Sequence, residues 1–378
     1  MSHTPPKNIV IIGGGIVGVS AAYFLTKHPN LSPDTHITIV EGSSVAAAAS
    51  GLSGGFLAKD WHGAATISLA TMSFDLHKKL ADDFGGKENW GYRAVDTLSV
   101  ETDATTKSKK TPPVPWLPHH VVSSRTLGTV ASTAQVHPGQ FTRFFSEKFL
   151  SRPNTSLLLG TATALASSNG SVESVLVSPR DGGAETVVPA DAVVIAAGPW
   201  TGKLAKDLLG KDIGGKLGVE GHRAHSIVLR TKEQLTPHCL FTSMTMEDGS
   251  MAEPECYTRP DGTTYICGAG DNEPLPATAA EVSPSPSAIA KLYKQAASLS
   301  PVFDPSNGAT TQAEQACYLP IPDRGRPLIG KVRGLDGVYV GSGLSCWGIT
   351  QGPGTGLCLA ELLVDGKVTS ADITKLAP

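Results

Sequence analysis

The residues best placed to do chemistry begin at position 13. Gly13, Gly15 and Gly18 form a G-x-G-x-x-G run that follows a β-branched segment and opens an apolar one beginning Ile16-Val17. In such a run the first glycine permits a tight turn. The second lets backbone approach a pyrophosphate, and the third lets a helix pack closely on a strand. The phosphates would rest at the helix N-terminus, where free N–H groups and the helix dipole favour an anion. Glu41 follows about twenty residues on, the spacing at which a carboxylate accepts the ribose hydroxyls of an adenosine and disfavours a 2′-phosphate. Gly42 and Ser43 continue from it. The combination points to a dinucleotide other than NADP.

Positioning those residues requires a βαβ unit. Residues 8–12 and 36–40 are short and β-branched and read as strands, and residues 16–27 as the helix between them. Residues 43–55 read as a small-residue loop or a loop-capped helix. Helices are expected over 66–84, over 138–150 with proline in the first turn, over 287–299 and over 352–363. The segment DAVVIAAG, ending at Gly198, reads as a buried strand meeting a turn. Strands at 225–230, 255–259 and 263–267 alternate in polarity, with Pro260-Asp261-Gly262 as a hairpin turn. Residues 335–340 return to strand. Residues 100–115, polar and basic with prolines, read as an exposed excursion. The expected fold is α/β: a discontinuous Rossmann-like dinucleotide domain (1–80, 130–215 and 315–378) with an inserted α+β substrate domain (81–129 and 216–314) on an antiparallel sheet.

Three later segments narrow the dinucleotide: AAAASGLSGGFL (46–57), VVIAAGPW (193–200) and GSGLSCWGITQGPGTG (341–356). With the first βαβ unit they resemble the amine-oxidising flavoproteins of the D-amino-acid oxidase, glycine oxidase and sarcosine oxidase family, over nearly the whole chain. The stretch around His225 is similar to a less-characterised branch of FAD oxidoreductases. The resemblance implies FAD. It implies that Ser50, Gly51, Ser53, Gly54, Gly55 and Leu57 run along the pyrophosphate and the isoalloxazine edge. Ala197, Gly198 and Trp200 would then pass near the adenosine. Gly343, Cys346, Trp347, Gly348, Ile349 and Thr350 would lead into a helix whose positive end faces the flavin pyrimidine. Cys317 matches a cysteine that forms a thioether to the flavin in sarcosine-oxidase-like members. The other reading is a buried free cysteine.

By the same resemblance, a C–H beside nitrogen delivers hydride to the flavin, and the protein positions the substrate. The family's carboxylate-gripping arginine is matched by Leu319, its oxygen-activating lysine by Ile266, and a lysine of the C-terminal cluster by Thr350. Tyr257 and Arg259 alternate on one strand and are candidates to meet a ligand, Arg259 through a bidentate grip on an acid or, alternatively, as an ion pair at the hairpin. His225 is a candidate to face the flavin or a satisfied core histidine. Trp347 shapes the pocket or joins the core, and residues 59–62 are candidates to line it. The expected activity is FAD-dependent oxidation of an amine or amino-acid-like small molecule. The alternatives are a dehydrogenase with an acceptor other than oxygen, and a flavin-binding assembly or trafficking factor. An NAD-dependent dehydrogenase would leave the three later segments without a role.

Composition bounds these readings. The chain has 378 residues, 40% hydrophobic and 17% charged, which excludes a disordered chain. A net charge of −3 argues against a nucleic-acid binder, which needs a basic face. The six cysteines include no C-x-x-C pair, so no metal site is expected. No signal-type or membrane-spanning run is evident, and the closing KLAP is not a peroxisomal tripeptide. The expectation is a cytoplasmic protein, monomeric or a small homo-oligomer, acting on a small molecule.

Overall fold

The structure, a computed structural model, describes residues 4–106, 110–118 and 120–378. Its first sheet has eight strands, in the order Thr186–Pro189, Ser171–Pro179, Thr155–Ser168, His36–Glu41, Asn8–Ile12, Ala192–Ile195, Val338–Ser342 and Leu328–Lys331. The middle five run parallel, and the outer strands join antiparallel. The central strands are continuously apolar because both faces are covered. Successive side chains point to opposite faces, so Ile9 and Ile11 enter a core with the helices Ile16–Leu25, Ile67–Phe84, Pro138–Leu150 and Gly348–Asp365. Val10 and Ile12 enter a second core with Val175, Val177 and the helix Thr201–Gly214.

At Gly13 and Gly18 the junction of the first strand and helix has no space for a side chain. Gly13 has φ of +117°, and a Cβ there would lie 2.3 Å from the Ala196 carbonyl oxygen. A Cβ on Gly18 would lie 2.0 Å from the Gly13 carbonyl oxygen. The strand His36–Glu41 ends on Glu41, which brings the carboxylate back to that turn.

The second sheet has the order Thr310–Pro322, Val219–Arg230, Thr263–Asp271, Glu255–Thr258, His238–Thr245, Asp96–Asp103 and Val121–Gly128, with Met251–Ala252 beside His238–Thr245. Its pairs are antiparallel, except that His238–Thr245 and Asp96–Asp103 run parallel. Alternation again separates two faces. Ile227, Leu240, Cys256 and Ile266 pack under the helix Pro286–Leu299, while Val228, Cys239, Tyr257 and Tyr265 cluster on the opposite face. The strand Thr310–Pro322 runs through the domain boundary expected at 315, and the helix Ile67–Phe84 through the one expected at 80. Among the described residues no helix is long and apolar enough to cross a membrane.

The segment read as an exposed excursion is a correction. Residues 100–103 complete a strand and Val114 is buried in the core of the second sheet, while residues 105, 106, 110, 111 and 115 are exposed as expected; Trp116 and Leu117, just past the segment, join the same core. Trp116 Nε1 donates to Thr236 Oγ1 at 2.9 Å, and the Trp116 carbonyl accepts from Ser300 Oγ. A lysine- and proline-rich composition hid the anchor at Val114. Residues 107–109 of that segment lie outside the described residues. Several boundaries also move: the strand expected at 225–230 starts at Val219, and the one expected at 263–267 runs to Asp271. The last strand is Val338–Ser342 rather than 335–340, and the last helix starts at Gly348, not at 352.

Because the Gly18 contact is backbone against Cβ, no side-chain rearrangement relieves it. Gly18→Val should destabilise the fold by about 3 kcal/mol or more, read from urea unfolding followed by far-UV circular dichroism.

Candidate active site

A cavity of about 940 Å³ runs from the Gly13 turn to the face of the second sheet carrying Tyr257. At its first end the Glu41 carboxylate accepts from the Gly14 N–H through Oε2 and from the Ser43 N–H through Oε1, both at 2.7 Å. Glu41 therefore ties the glycine turn to the loop after the second strand while still facing the cavity. The Ile16 N–H donates to Ser50 Oγ at 2.9 Å, leaving the Ser50 hydroxyl proton free to donate. On the other side Thr201 Oγ1 donates to Ser342 Oγ at 2.8 Å, and Ser342 Oγ to the Gly198 carbonyl at 3.0 Å. These bonds hold the two turns after parallel strands side by side. The Ser43 and Ser53 hydroxyl oxygens are buried without partners among the described residues, and both residues line the cavity.

Most residues singled out from the sequence line this one cavity. From the first unit these are Gly13, Gly15, Ile16, Val17, Glu41, Gly42 and Ser43. Ser50, Ser53, Gly54 and Gly55 follow, then Ala197, Gly198 and Trp200. Cys317, Gly343, Cys346, Trp347, Gly348 and Ile349 complete the set. Burial pushes the Cys317 thiol up to about 12, so it is held as the thiol. Cys346 is exposed.

Others lie behind the wall. Gly18 and Gly51 are packing positions, a Cβ on Gly51 meeting the Ala46 carbonyl oxygen at 2.0 Å. Leu57 is fully buried in the first core. Thr350 is buried and donates to the Phe56 carbonyl at 3.3 Å. His225 does not face the cavity. Its Nδ1 meets the Ala269 carbonyl at 3.0 Å and its Nε2 accepts from the Ser285 N–H at 3.0 Å, which makes it a satisfied core histidine. Arg259 falls just past the strand Glu255–Thr258 and is buried. Its Nη2 donates to the Ser53 carbonyl at 3.2 Å and its guanidinium lies 5.3 Å from the Tyr265 ring centroid. It braces the loop from behind instead of gripping an acid. Ile266 points into the opposite core, because its neighbours Tyr265 and Cys267 take the cavity face.

The sequence reading missed Glu255, Cys267, Phe56, Phe241 and Tyr265. Glu255 shares the cavity face with Tyr257, two residues on, and accepts from the Tyr257 hydroxyl and from Cys267 Sγ, the latter at 3.6 Å. Burial, then the Glu255 charge, pushes the Tyr257 phenol well above its ordinary value, so it stays a donor. Tyr257 stacks between Phe56, at 5.7 Å, and Tyr265, at 5.9 Å. Gly54 makes room for it, since a Cβ there would lie 2.3 Å from the Tyr257 ring. The same alternation that selected Tyr257 selects Glu255. The aromatic partners come from other strands and carry no local signal.

The glycine-rich helix Gly348–Asp365 enters the cavity wall with a proline inside it, at Pro353. A proline cannot donate to the carbonyl four residues back, here Ile349. His77 Nε2 takes that place at 2.8 Å, and Ser73 Oγ accepts the Gly354 N–H at 2.8 Å. His77 is fully buried, its Nδ1 has no partner among the described residues, and burial pushes it down to about 4. It is neutral in the fold and gains a proton on unfolding below its ordinary value near 6.5. Its contribution is therefore complete above pH 6.5 and lost as pH falls toward 4. His137, also pushed down to about 4 by burial and then by Arg259, adds to the same acid instability. His77→Gln should remove about 3 kcal/mol of the stability lost across that window, measured by urea unfolding at a series of pH values.

Comparison with known proteins agrees with this geometry. The family described as DAO, FAD dependent oxidoreductase, matches residues 8–362. A Schizosaccharomyces pombe protein whose name classes it as an oxidoreductase is 36% identical, over 98% of each chain. Glycine oxidase of Pseudomonas putida is 24% identical over 94% of each. The structure of glycine oxidase from Geobacillus kaustophilus aligns with a TM-score of 0.77 at 18% identity, covering 98% of each chain, and that of iminodiacetate oxidase from Chelativorans sp. BNC1 with 0.76 at 18%, also over 98% of each. At those identities the structural likeness speaks for the fold. The family match and the glycine-lined cavity together establish that this chain belongs to the DAO family of FAD-dependent oxidoreductases.

Proposed function

We propose that this oxidoreductase removes two electrons from an amine at a carbon–nitrogen bond. The observation that carries the reading is the single cavity, which joins the Gly13 turn to an aromatic wall and so has room for a dinucleotide at one end and a small substrate at the other. The donor set suits FAD: a glycine turn at a helix N-terminus, a carboxylate at Glu41, and the unpartnered hydroxyls of Ser43 and Ser53. Glu41 would accept the ribose hydroxyls, and Gly13, Gly15 and Ser50 would hold the pyrophosphate. Gly343 and residues 346–349 would flank the flavin ring from the helix N-terminus. Bound there, FAD supplies the acceptor for a hydrogen and two electrons from the carbon beside nitrogen.

The protein's own part is to place and desolvate the substrate. Phe56, Trp61, Phe241 and Trp347 wall off water, and Tyr257 holds its proton on the Glu255 carboxylate. An electron acceptor other than oxygen is the second reading. It is favoured by the one lysine lining the cavity among the described residues, Lys203, being paired with Asp207 at 2.9 Å.

The purified protein should be yellow. Acid precipitation should release the colour to the supernatant if Cys317 is a free thiol, and retain it in the pellet if Cys317 carries a thioether. Amines should bleach the flavin anaerobically, and hydrogen peroxide on readmitting air would identify oxygen as the acceptor. A flavin that no amine reduces would overturn the oxidation reading in favour of a non-catalytic FAD protein. Glu41→Ala should weaken FAD binding roughly 10- to 100-fold, measured by flavin fluorescence on titration into apoprotein. Unchanged retention would remove Glu41 from the ribose site.

A further inference from the structure

Resting on the amine reading, we propose that the substrate is an alkylamine without a carboxylate beside its nitrogen, bound as its ammonium by Glu255 beside an aromatic wall, with the nitrogen's proton passing to Glu255 before the neighbouring carbon gives up hydride. The wall is formed by Phe56, Trp61, Phe241, Tyr257 and Trp347, which pack against one another and all line the cavity. Phe56 lies 5.2 Å from Trp61 and 5.4 Å from Phe241, and Trp61 lies 5.4 Å from Phe241 and 6.4 Å from Trp347, centroid to centroid. Aromatic faces carry negative potential and attract an ammonium group within about 6 Å.

The carboxylate points the same way. Glu255 is half-buried, and its partners, Tyr257 and Cys267, are neutral donors. Among the described residues it makes no ion pair. A half-buried carboxylate left without a counter-charge is costly, and a bound ammonium supplies one.

An α-amino acid meets the opposite situation. Its carboxylate would face Glu255 and the ring faces, and no arginine among the described residues lines the cavity. Arg259 is buried behind the loop on the Ser53 carbonyl. Lys203 is engaged by Asp207. His222 lies four residues along its strand from Ser226, which shares the Cys267–Glu255 row, a separation of roughly 13 Å. Leu319 is apolar.

The test is calorimetric titration of the FAD-loaded protein with benzyltrimethylammonium chloride and, separately, with sodium benzoate. Benzyltrimethylammonium should bind saturably and benzoate should not over the same concentrations. Glu255→Gln keeps an acceptor for the Tyr257 hydroxyl but removes the charge, and should weaken ammonium binding about tenfold or more. Trp61→Ala provides a second variant on an independent element and should weaken it as well. Tighter binding of benzoate than of the ammonium overturns the proposal, as does wild-type ammonium affinity in Glu255→Gln. The two readings separate cleanly. Ammonium binding that depends on Glu255, with no amine bleaching the flavin, keeps the cation site and rejects amine oxidation. Flavin bleaching by α-amino acids, with benzoate as competitor, keeps the oxidation and rejects the cation site.

Discussion

The parallel strands Asn8–Ile12, His36–Glu41 and Ala192–Ile195 converge on a turn that excludes a side chain at Gly13 and, one turn on, at Gly18. Gly13 presses on Ala196, Gly18 on Gly13, and the Glu41 carboxylate crosses from the neighbouring strand to hold the Gly14 N–H. This closeness sets the height of the first helix over the sheet, and with it the distance at which a phosphate can meet backbone N–H groups. Every other part of the site takes its place relative to that turn. The loop at Ser50 caps the same helix, and the C-terminal helix packs along it through small residues.

The two ends of the cavity rest on different physics. At the turn, the cavity is lined by backbone and a carboxylate, which hold their positions because the sheet beneath is buried on both faces. At the second sheet it is lined by side chains that alternate off one face, with the helix Pro286–Leu299 sealing the other. Gly54 joins the two ends. It belongs to the loop after the short helix Ala49–Leu52, yet its missing side chain is what lets Tyr257 lie against that loop. Buried Arg259 fixes the same loop through Ser53, so loop and aromatic wall behave as one support.

His77 shows how the scaffold accommodates an irregularity at the site. Pro353 breaks the hydrogen-bond ladder where the C-terminal helix meets the cavity, and side chains of the helix Ile67–Phe84 satisfy the groups left over. The arrangement leaves neither the Ile349 carbonyl nor the Gly354 N–H unsatisfied where the helix meets the cavity. It also makes the region sensitive to acid, because a neutral buried imidazole is the donor.

What the sequence determined by itself was local and periodic: the G-x-G-x-x-G turn between strand and helix, the acidic end of the second strand, the small-residue segments around Ser50 and Gly343, and the helix Pro138–Leu150 with its leading proline. These are properties of neighbouring residues, where spacing and side-chain size carry the information. Only the tertiary structure decided which face each strand of the second sheet turned to the cavity. It sent Ile266 and His225 into the core, put Arg259 behind the loop, and brought Glu255, Cys267, Phe56, Phe241 and Trp61 together from separate elements. Composition misled at Val114, where polar and proline neighbours masked an anchor. A one-residue change of phase reverses a strand's inward and outward faces, and the phase is set by pairing with strands distant in the chain.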